Sequence, residues 1–293
     1  MENAIEQLIN GLRTGSIYAL IALGYTMVYG IAKMINFAHG DIIMVGAYVL
    51  YVCVAVVKMP IPLAVLSTIV FASLAGVIIE KIAYKPLRDA PRLAVLITAI
   101  GVSLFLQNAA LLIFSANPIA FESIIKLEPI IIGNIVITGT TVVTLIVTII
   151  TMILLTLFIN KTKSGMAMRA VAEDKDAAQL MGINVNLTIA LTFAIGSALA
   201  GLAGILYLSQ YQSSLRPTMG GLPGIRAFVA AVIGGIGNVP GAMLGGMLLG
   251  IIESFAKAYI STELTDAIVF GILILVLLVK PSGLLGKQRI EKV

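Results

Sequence analysis

The chain has 293 residues, of which 59% are hydrophobic and only 11% are charged, and its mean hydropathy is +1.07. Soluble domains are about 45–50% apolar and about 25% charged, so this composition excludes an ordinary soluble enzyme and a disordered chain. The formal charge of +5 does not indicate nucleic-acid binding, because the basic residues form short groups between apolar stretches. The single cysteine, Cys53, excludes an intrachain disulfide and a cysteine metal site.

Charged residues separate long charge-free stretches that predict membrane-spanning helices. A helix needs about 20 apolar residues to cross the hydrocarbon core. Strands of a transmembrane barrel would alternate apolar and polar residues over about ten positions, whereas 141–159 is largely apolar on all sides. We therefore predict an all-α polytopic membrane helix bundle with about eight or nine transmembrane helices. The charge-free stretches are 14–32, 42–57, 59–79, 93–121, 129–160, 177–215, 227–252 and 267–279.

The first helix is expected to stay in the membrane as a signal anchor. The first 13 residues carry Glu2, Glu6 and Arg13, which is not the basic start of a cleavable signal peptide. Segment 33–41 then interrupts the apolar pattern with Lys-Met-Ile-Asn-Phe-Ala-His-Gly-Asp. The N-terminus is outside the cell if this segment faces the cytoplasm, and a re-entrant segment would reverse that.

Three groups of basic residues predict which loops are cytoplasmic, because positive residues are enriched on that side of membrane proteins. Helices near 93–115 and 135–159 then form a hairpin with an outer loop around Lys126, and a helix near 185–208 exits to an outer loop at 209–225. The basic groups are Lys81, Lys85, Arg88 and Arg92; Lys161, Lys163, Arg169 and Lys175; and Lys280, Lys287, Arg289 and Lys292.

A second interruption lies at 234–241, which reads Gly-Gly-Ile-Gly-Asn-Val-Pro-Gly. Glycine and proline both break helices, so we predict two helices, near 225–235 and 242–258, on either side of it. Broken backbone at membrane depth is tolerated only where protein or a water-filled cavity covers it. Two broken or re-entrant segments, one in each half, are typical of transporters with an inverted repeat, which we regard as possible here.

The cytoplasmic segment 160–183 is rich in helix-forming residues and has a short amphipathic face that includes Ala178. Such a helix can pack on its own domain, or it can lie in the groove of a partner. Elsewhere, Gly196, Ala200 and Gly204 form a small-residue stripe that favours close helix packing. Gln107 and Asn108 are expected to pair with another helix.

The Asp-Ala-Ala-x-x-x-Gly sequence at 176–182 resembles the loop of ABC importer permeases that docks on the ATPase subunit, with Asp in place of the usual Glu. Four further segments are similar to the branched-chain amino acid permease family, and together the resemblance covers nearly the whole chain. They are 10–30, 35–41 with Gly46, Ala47 and Tyr48, 228–246, and the Lys-Pro-Ser-Gly-Leu-Leu-Gly sequence at 280–286.

This resemblance implies one transmembrane permease domain over 1–293, with 160–183 as the coupling-helix loop. It implies a second related permease subunit, two ABC ATPases and a periplasmic or lipid-anchored binding protein as partners, in the bacterial cytoplasmic membrane. The substrates implied are branched-chain or related hydrophobic amino acids. The residues expected to contact the ATPase are Arg169, Asp176, Ala177, Ala178 and Gly182.

The two interruptions supply the candidate residues of the translocation pathway, which are Asn36, His39, Gly235, Gly237 and Asn238. Asn36 and His39 could equally cap broken helix ends. His39 is the only histidine, and a structural hydrogen-bonding role is favoured over a proton relay, because no chain of intramembrane acids accompanies it.

No cofactor, metal site or nucleotide-binding motif is expected, so ATP hydrolysis would belong to another chain. The alternative function is an ion- or proton-coupled secondary transporter that works without an ATPase. That alternative needs buried carboxylates, and the only acids near the predicted spans lie at their edges, at Asp41, Glu80, Glu253 and Asp266.

Overall fold

A computed structural model describes residues 2–88, 90–133, 135–210 and 214–286, which form a helical bundle with one short β-hairpin. The basic residues Lys287, Arg289 and Lys292 lie outside these ranges. The helices are α1 Glu2–Ala32, α2 His39–Tyr51, α3 Ile61–Ile79, α4 Arg92–Phe114, α5 Gly139–Lys161, α6 Lys163–Glu173, α7 Lys175–Leu180, α8 Val185–Gln210, α9 Gly221–Gly234, α10 Val239–Tyr259 and α11 Thr265–Val279, and the strands are β1 Ile130–Ile132 and β2 Ile135–Ile137.

The described residues contain seven helices that are long and apolar enough to cross a membrane. Two shorter apolar helices, α9 and α11, accompany them. Helix α2 continues as a π-helical turn over Val52–Val56, and α3 continues through Glu80–Tyr84 and Lys85–Leu87. The predicted polytopic helical bundle is therefore confirmed. The inverted repeat stays a prediction.

Helix α1 lies at the centre of the bundle and pairs with α10 in the opposite direction. A Cβ atom on Gly11 would lie 2.6 Å from the Cα of Ile251, and one on Gly15 would lie 2.8 Å from the Cα of Met247. Because these backbones nearly touch, larger residues are excluded from this part of the contact. Small residues commonly allow such close approach between membrane helices.

Helix α8 packs against α1 and α2 through the small-residue stripe predicted from the sequence. Gly196 faces Gly24 of α1, and a Cβ on Gly204 would meet the carbonyl oxygen of Ile43 in α2. Ala200 is completely buried. The stripe therefore serves helix packing, as predicted.

The first interruption occupies 33–38, between α1 and α2. His39, the first residue of α2, packs beside Gly24 and Tyr25 in the middle of α1. Because a helix rises about 1.5 Å per residue, Gly24 lies roughly 12 Å before the end of α1 at Ala32. The segment therefore runs back into the bundle, and α2 begins inside it.

The second interruption is shorter than predicted and spans 235–238, between α9 and α10. Gly235 and Gly237 have φ angles of +105° and +94°, which glycine adopts without steric cost. The amides of Leu284 and Leu285 donate to the carbonyls of Ile233 and Gly234 at 2.8 and 3.0 Å. The tail after α11 thus covers the turn.

We call the end of the bundle where Lys33, Lys85, Lys161 and Lys280 lie the basic end. Lys33, Asn160 and Gly237 line one cavity at this end, and Lys85 and Lys175 line a second. The described members of the three basic groups therefore share one end, as predicted. At the opposite end, the β-hairpin was not predicted, and Ile119 pairs with Leu215 as an isolated bridge.

Candidate functional site

The loop between α5 and α8 folds as two helices because polar side chains cap each of them. The hydroxyl of Thr162 accepts a hydrogen bond from the amide of Gly165 at 3.0 Å. The carboxylate of Asp174 accepts from the amides of Asp176 and Ala177, each at 2.9 Å. Caps of this kind contribute about 1 kcal/mol each. The predicted single helix is therefore divided at Asp174.

The loop ends at Gly182, whose φ of +81° lets the chain turn back toward α8. Glycine is common at such helix ends because a left-handed backbone costs it nothing. The side of α6 that carries Met168 and Val171 is buried against the bundle. The two helices are thus held on the permease, with their other sides open.

The structure corrects the expected orientation of Ala178. This side chain is only 4% exposed and belongs to the permease's own apolar core. The neighbouring Leu180 and Met181 are 89% and 82% exposed. Of the other residues expected to contact an ATPase, Arg169, Asp176, Ala177 and Gly182 are exposed. The outward apolar surface is therefore made by Met181, which belongs to the amphipathic face expected from the sequence, and by Leu180, which was not expected there.

Helix α7 is also tied to the end of α1. The ammonium group of Lys175 donates to the carbonyl oxygen of Ala32 at 3.3 Å. The carbonyls of a helix's last turn have no partner within the helix, so a lysine there is favourable. A displacement of α7 would therefore act on the end of the central helix.

Asn36 and Asp41, at the first interruption, accept hydrogen bonds from side chains inside the bundle. The hydroxyl of Tyr84 donates to the side-chain oxygen of Asn36 at 2.8 Å, and Gln107 donates to the carboxylate of Asp41 at 2.9 Å. His39 is buried against the ring of Tyr25. No pattern in the sequence identifies Tyr84 as a partner of Asn36. These contacts hold the start of α2 in place. Gln107 pairs with another helix as predicted, whereas Asn108 is exposed and donates to the carbonyl oxygen of Leu104 in its own helix.

The second interruption borders an open cavity of about 720 Å³ at the basic end. Gly237 and Asn238 line it together with Arg169 of the coupling-helix loop. Asn238 also caps α10, since its side chain accepts from the amide of Gly241 at 3.2 Å and donates to the carbonyl of Leu285 at 2.6 Å. The structure thus brings together Gly237 and Asn238, predicted for the pathway, and Arg169, predicted for the ATPase contact. Asn36, His39 and Gly235 do not line this cavity.

An ion network around the buried Glu253 joins four helices toward the opposite end. The carboxylate of Glu253 in α10 accepts from Tyr18 in α1 at 2.8 Å, from Arg226 in α9 at 2.6 Å and from Lys257 at 2.5 Å. Arg226 also donates to Asp266 in α11 at 2.6 Å. Two cations and two anions balance, so the network is neutral overall. Sequence reasoning missed it, because the partners are far apart in the chain.

The acids expected at the edges of the spans are mostly interior. Asp41, Glu80 and Glu253 are each only 2% exposed. Glu80 is paired with Arg88, as Glu253 is with Arg226 and Lys257. The expectation that these acids lie at the edges of the spans is therefore wrong for three of them, and the absence of buried carboxylates no longer argues against a carrier. Glu80 and Glu253 are engaged by cations, and Asp41 by the side chain of Gln107.

The chain matches the model of a family described as "Branched-chain amino acid transport system / permease component" over residues 7–277. It is 46% identical to the high-affinity branched-chain amino acid transport system permease protein LivH of Escherichia coli, covering 99% of this chain and 97% of that protein. It is also 46% identical to the corresponding protein BraD of Pseudomonas aeruginosa, covering 99% of this chain and 98% of that protein.

More distant relatives share the fold. The ribose import permease protein RbsC of Haemophilus influenzae is 26% identical, over 86% of this chain and 77% of that protein. A solved structure described as PsaBC from Streptococcus pneumoniae in complex with Fab superposes with a TM-score of 0.51 at 16% identity, covering 93% of this chain and 91% of that chain. The likeness to that structure extends to the fold alone.

The apolar helices, the family match and the full-length relatives identify a multi-pass membrane permease subunit of an ABC importer. The chain belongs to the branched-chain amino acid transport system permease family.

Proposed function

We propose that this permease carries branched-chain amino acids across the bacterial cytoplasmic membrane, with its basic end in the cytoplasm. Its ATP would be hydrolysed by two separate ABC ATPases, since no phosphate-binding Gly-x-x-x-x-Gly-Lys-Ser/Thr sequence occurs in the chain. A second related permease and a periplasmic or lipid-anchored binding protein would complete the transporter. The amino acids named for the LivH and BraD relatives support the choice of substrate.

The observation that carries this proposal is the outward surface of α7. Leu180 and Met181 are large apolar side chains that project almost fully from the basic end. They follow the Asp-Ala-Ala sequence at 176–178 and precede the turn at Gly182. Burial of a Leu or Met side chain in a partner contributes about 1.5–3 kcal/mol. The pair is therefore sufficient to anchor the loop in the groove of an ATPase.

The test is co-purification of the ATPase with Leu180→Ser/Met181→Ser, followed by leucine uptake in proteoliposomes. Because about 1.4 kcal/mol corresponds to tenfold in binding, we expect the bound ATPase to fall by at least tenfold. The matched control is Leu127→Ser, which is exposed in the loop before the hairpin and should retain the ATPase. Normal ATPase recovery and uptake by the double variant would show that α7 is not the docking element.

The same proteoliposomes separate this function from that of a proton- or ion-coupled carrier. Uptake by the wild-type transporter should need ATP and the binding protein, and it should persist when an uncoupler or ionophore collapses the ion gradients. Uptake that stops with the gradients and continues without ATP would establish the carrier instead.

A further inference from the structure

Helix α4 is held to the bundle along one narrow side, and most of its other side chains are exposed. Its buried residues are Val95, Ala99 and Ala110. Gln107 points inward and donates to a carboxylate of α2 at 2.9 Å. Asn108 follows it, about 100° further around the helix, and is exposed. The outward face of α4 therefore carries a polar side chain.

Asn108 lies at the depth of the hydrocarbon core. The 23 residues of α4 span about 34 Å, whereas the core is about 30 Å thick. Asn108 is six residues before the end of α4 at Phe114, which places it roughly 9 Å inside that end. Its amide group donates to the carbonyl oxygen of Leu104 at 2.8 Å, and its side-chain oxygen accepts no hydrogen bond from the described residues. An acceptor without a donor is unfavourable in hydrocarbon.

The outward faces of α3 and α5 have a different composition. Every exposed residue in 63–78 of α3 is Leu, Val, Phe or Ile, and every exposed residue in 146–157 of α5 is Ile or Leu. Such faces suit contact with the acyl chains of lipids, because they expose no polar side chain to hydrocarbon. The face with Asn108 instead requires a neighbour that can form hydrogen bonds.

The exposed residues of α4 also have the spacing of a contact between helices. Gly101, Leu104, Asn108 and Leu111 are separated by three, four and three positions, which is the seven-residue period of packed helices. A Cβ atom on Gly101 would meet no other atom within 4 Å, so the described residues do not account for a glycine there. Small residues let membrane helices approach closely, and a single asparagine in such a row can fix the register of the contact. We call these four residues the α4 seam.

We propose that the α4 seam contacts the second permease of the transporter, with Asn108 hydrogen-bonded to a polar group of that subunit. This inference rests on the proposed function, which supplies the partner. The ATPases and the binding protein lie outside the bilayer, so a neighbour at this depth must itself span the membrane. A helix of the second permease can donate to the free oxygen of Asn108, whereas a lipid acyl chain cannot.

The first experiment places the photoreactive residue p-benzoylphenylalanine at position 108 and irradiates the assembled transporter in the membrane. We expect a covalent product whose mass is that of this chain plus the second permease. The controls carry the same residue in place of Phe71 of α3 and of Leu154 of α5, which are 58% and 60% exposed, and they should not form this product. Equal yields from all three positions, or products with lipid alone, would overturn the proposal. A product of two copies of this chain would overturn the choice of the related permease as the neighbour.

The second experiment separates association from folding. Gly101→Leu adds a side chain where the described residues leave free space, so the permease alone should melt as the wild type does. Recovery of the second permease should nevertheless fall by about fivefold or more, because extra bulk in a packed contact is unfavourable. Asn108→Leu should lower this recovery by about three- to tenfold, again without loss of melting temperature. The control Leu154→Trp adds bulk to the outward face of α5 and should change neither measurement.

Normal recovery of the second permease by both Gly101→Leu and Asn108→Leu contradicts the proposal. A fall in melting temperature that parallels the fall in recovery also contradicts it, since the effect would then arise within the permease. ATP-dependent import by an assembled transporter that gives no product from position 108 overturns this inference alone. If no second permease purifies with the wild-type chain, the proposed function is contradicted instead.

Discussion

At Gly235 the backbone and the packing both require glycine. Its φ of +105° is unfavourable for residues with a Cβ atom, and that atom would lie 2.6 Å from the amide nitrogen of Gly286. We predict that Gly235→Ala destabilises the permease by about 1–3 kcal/mol. The measurement is the melting temperature of the purified protein by fluorescence-detected size-exclusion chromatography.

Gly101 provides the control for this substitution. It lies within α4, and a Cβ there would have no other atom within 4 Å. Because alanine is favoured over glycine in a helix by up to about 1 kcal/mol, Gly101→Ala should keep or raise the melting temperature. Equal melting temperatures for Gly235→Ala and the wild type would mean that the tail does not cover the turn as described.

Glu253 stabilises the bundle only as part of its network. Removal of one partner of a buried ion pair costs about 3–5 kcal/mol, because the other charge stays buried. Glu253→Gln removes an anion from Arg226, which keeps its pairing with Asp266, and from Lys257, whose side chain is 42% exposed, so we predict a loss of thermal stability that is smaller than this. The exposed Glu263, which forms no ion pair among the described residues, gives the control Glu263→Gln.

A double-mutant cycle with Arg226→Met measures the coupling directly. The loss in the double variant should be smaller than the sum of the two single losses, because residues in one network are not additive. Additive losses would place the effect of Glu253→Gln outside the contact with Arg226.

On the scale of single elements, α7 has one side in the permease core and another side exposed. Substitutions on these two sides therefore test folding and ATPase docking separately. Ala178 is buried in the permease core, while the adjacent Ala177 is exposed. Extra bulk in a packed core costs about 1–3 kcal/mol. We therefore predict that Ala178→Leu lowers the melting temperature of the permease alone, and that Ala177→Leu does not. If Ala178→Leu weakened ATPase binding without any loss of stability, Ala178 would face the partner after all.

The sequence predicted α4 and α5 closely, because charges and polar residues mark where an apolar helix can end. It also predicted the turn between α9 and α10, because glycine and proline influence the backbone conformation at their own positions. It did not predict the burial of Ala178, because the spacing of apolar residues does not show which side of a short helix meets the core. The contacts of Tyr18 with Glu253 and of Tyr84 with Asn36 depend on packing between distant segments.

On the scale of the whole molecule, the direction of each helix determines the number of crossings. Helix α1 runs opposite to α10, and α3 runs opposite to α8, since Gly76 meets Ser197 while Ala72 meets Gly201. Seven long and two shorter apolar helices in the described chain allow an odd number of crossings. The start of α1 would then lie on the side away from the basic end.

This arrangement predicts which positions a membrane-impermeant maleimide can reach in intact cells. Glu6, an exposed residue near the start of α1, and Lys126, in the loop between α4 and the hairpin, should both be outside. Ser164 in α6 should be inside, because positive residues collect on the cytoplasmic side. Single cysteines at these positions, in a background in which the buried Cys53 is replaced by alanine, would report the side.

We expect Glu6→Cys and Lys126→Cys to be labelled in intact cells, and Ser164→Cys to be labelled only after the membrane is permeabilised. The N-terminal position carries the most information, because the antiparallel contact of α1 with α10 determines it independently of the basic loops. Protection of Glu6→Cys together with labelling of Lys126→Cys would mean that 33–38 and α2 enter the membrane and return to the side on which α1 ends, without crossing. The bundle would then have eight crossings, and the ends of α1 and α10 that form the cavity beside Arg169 could not both lie in the cytoplasm.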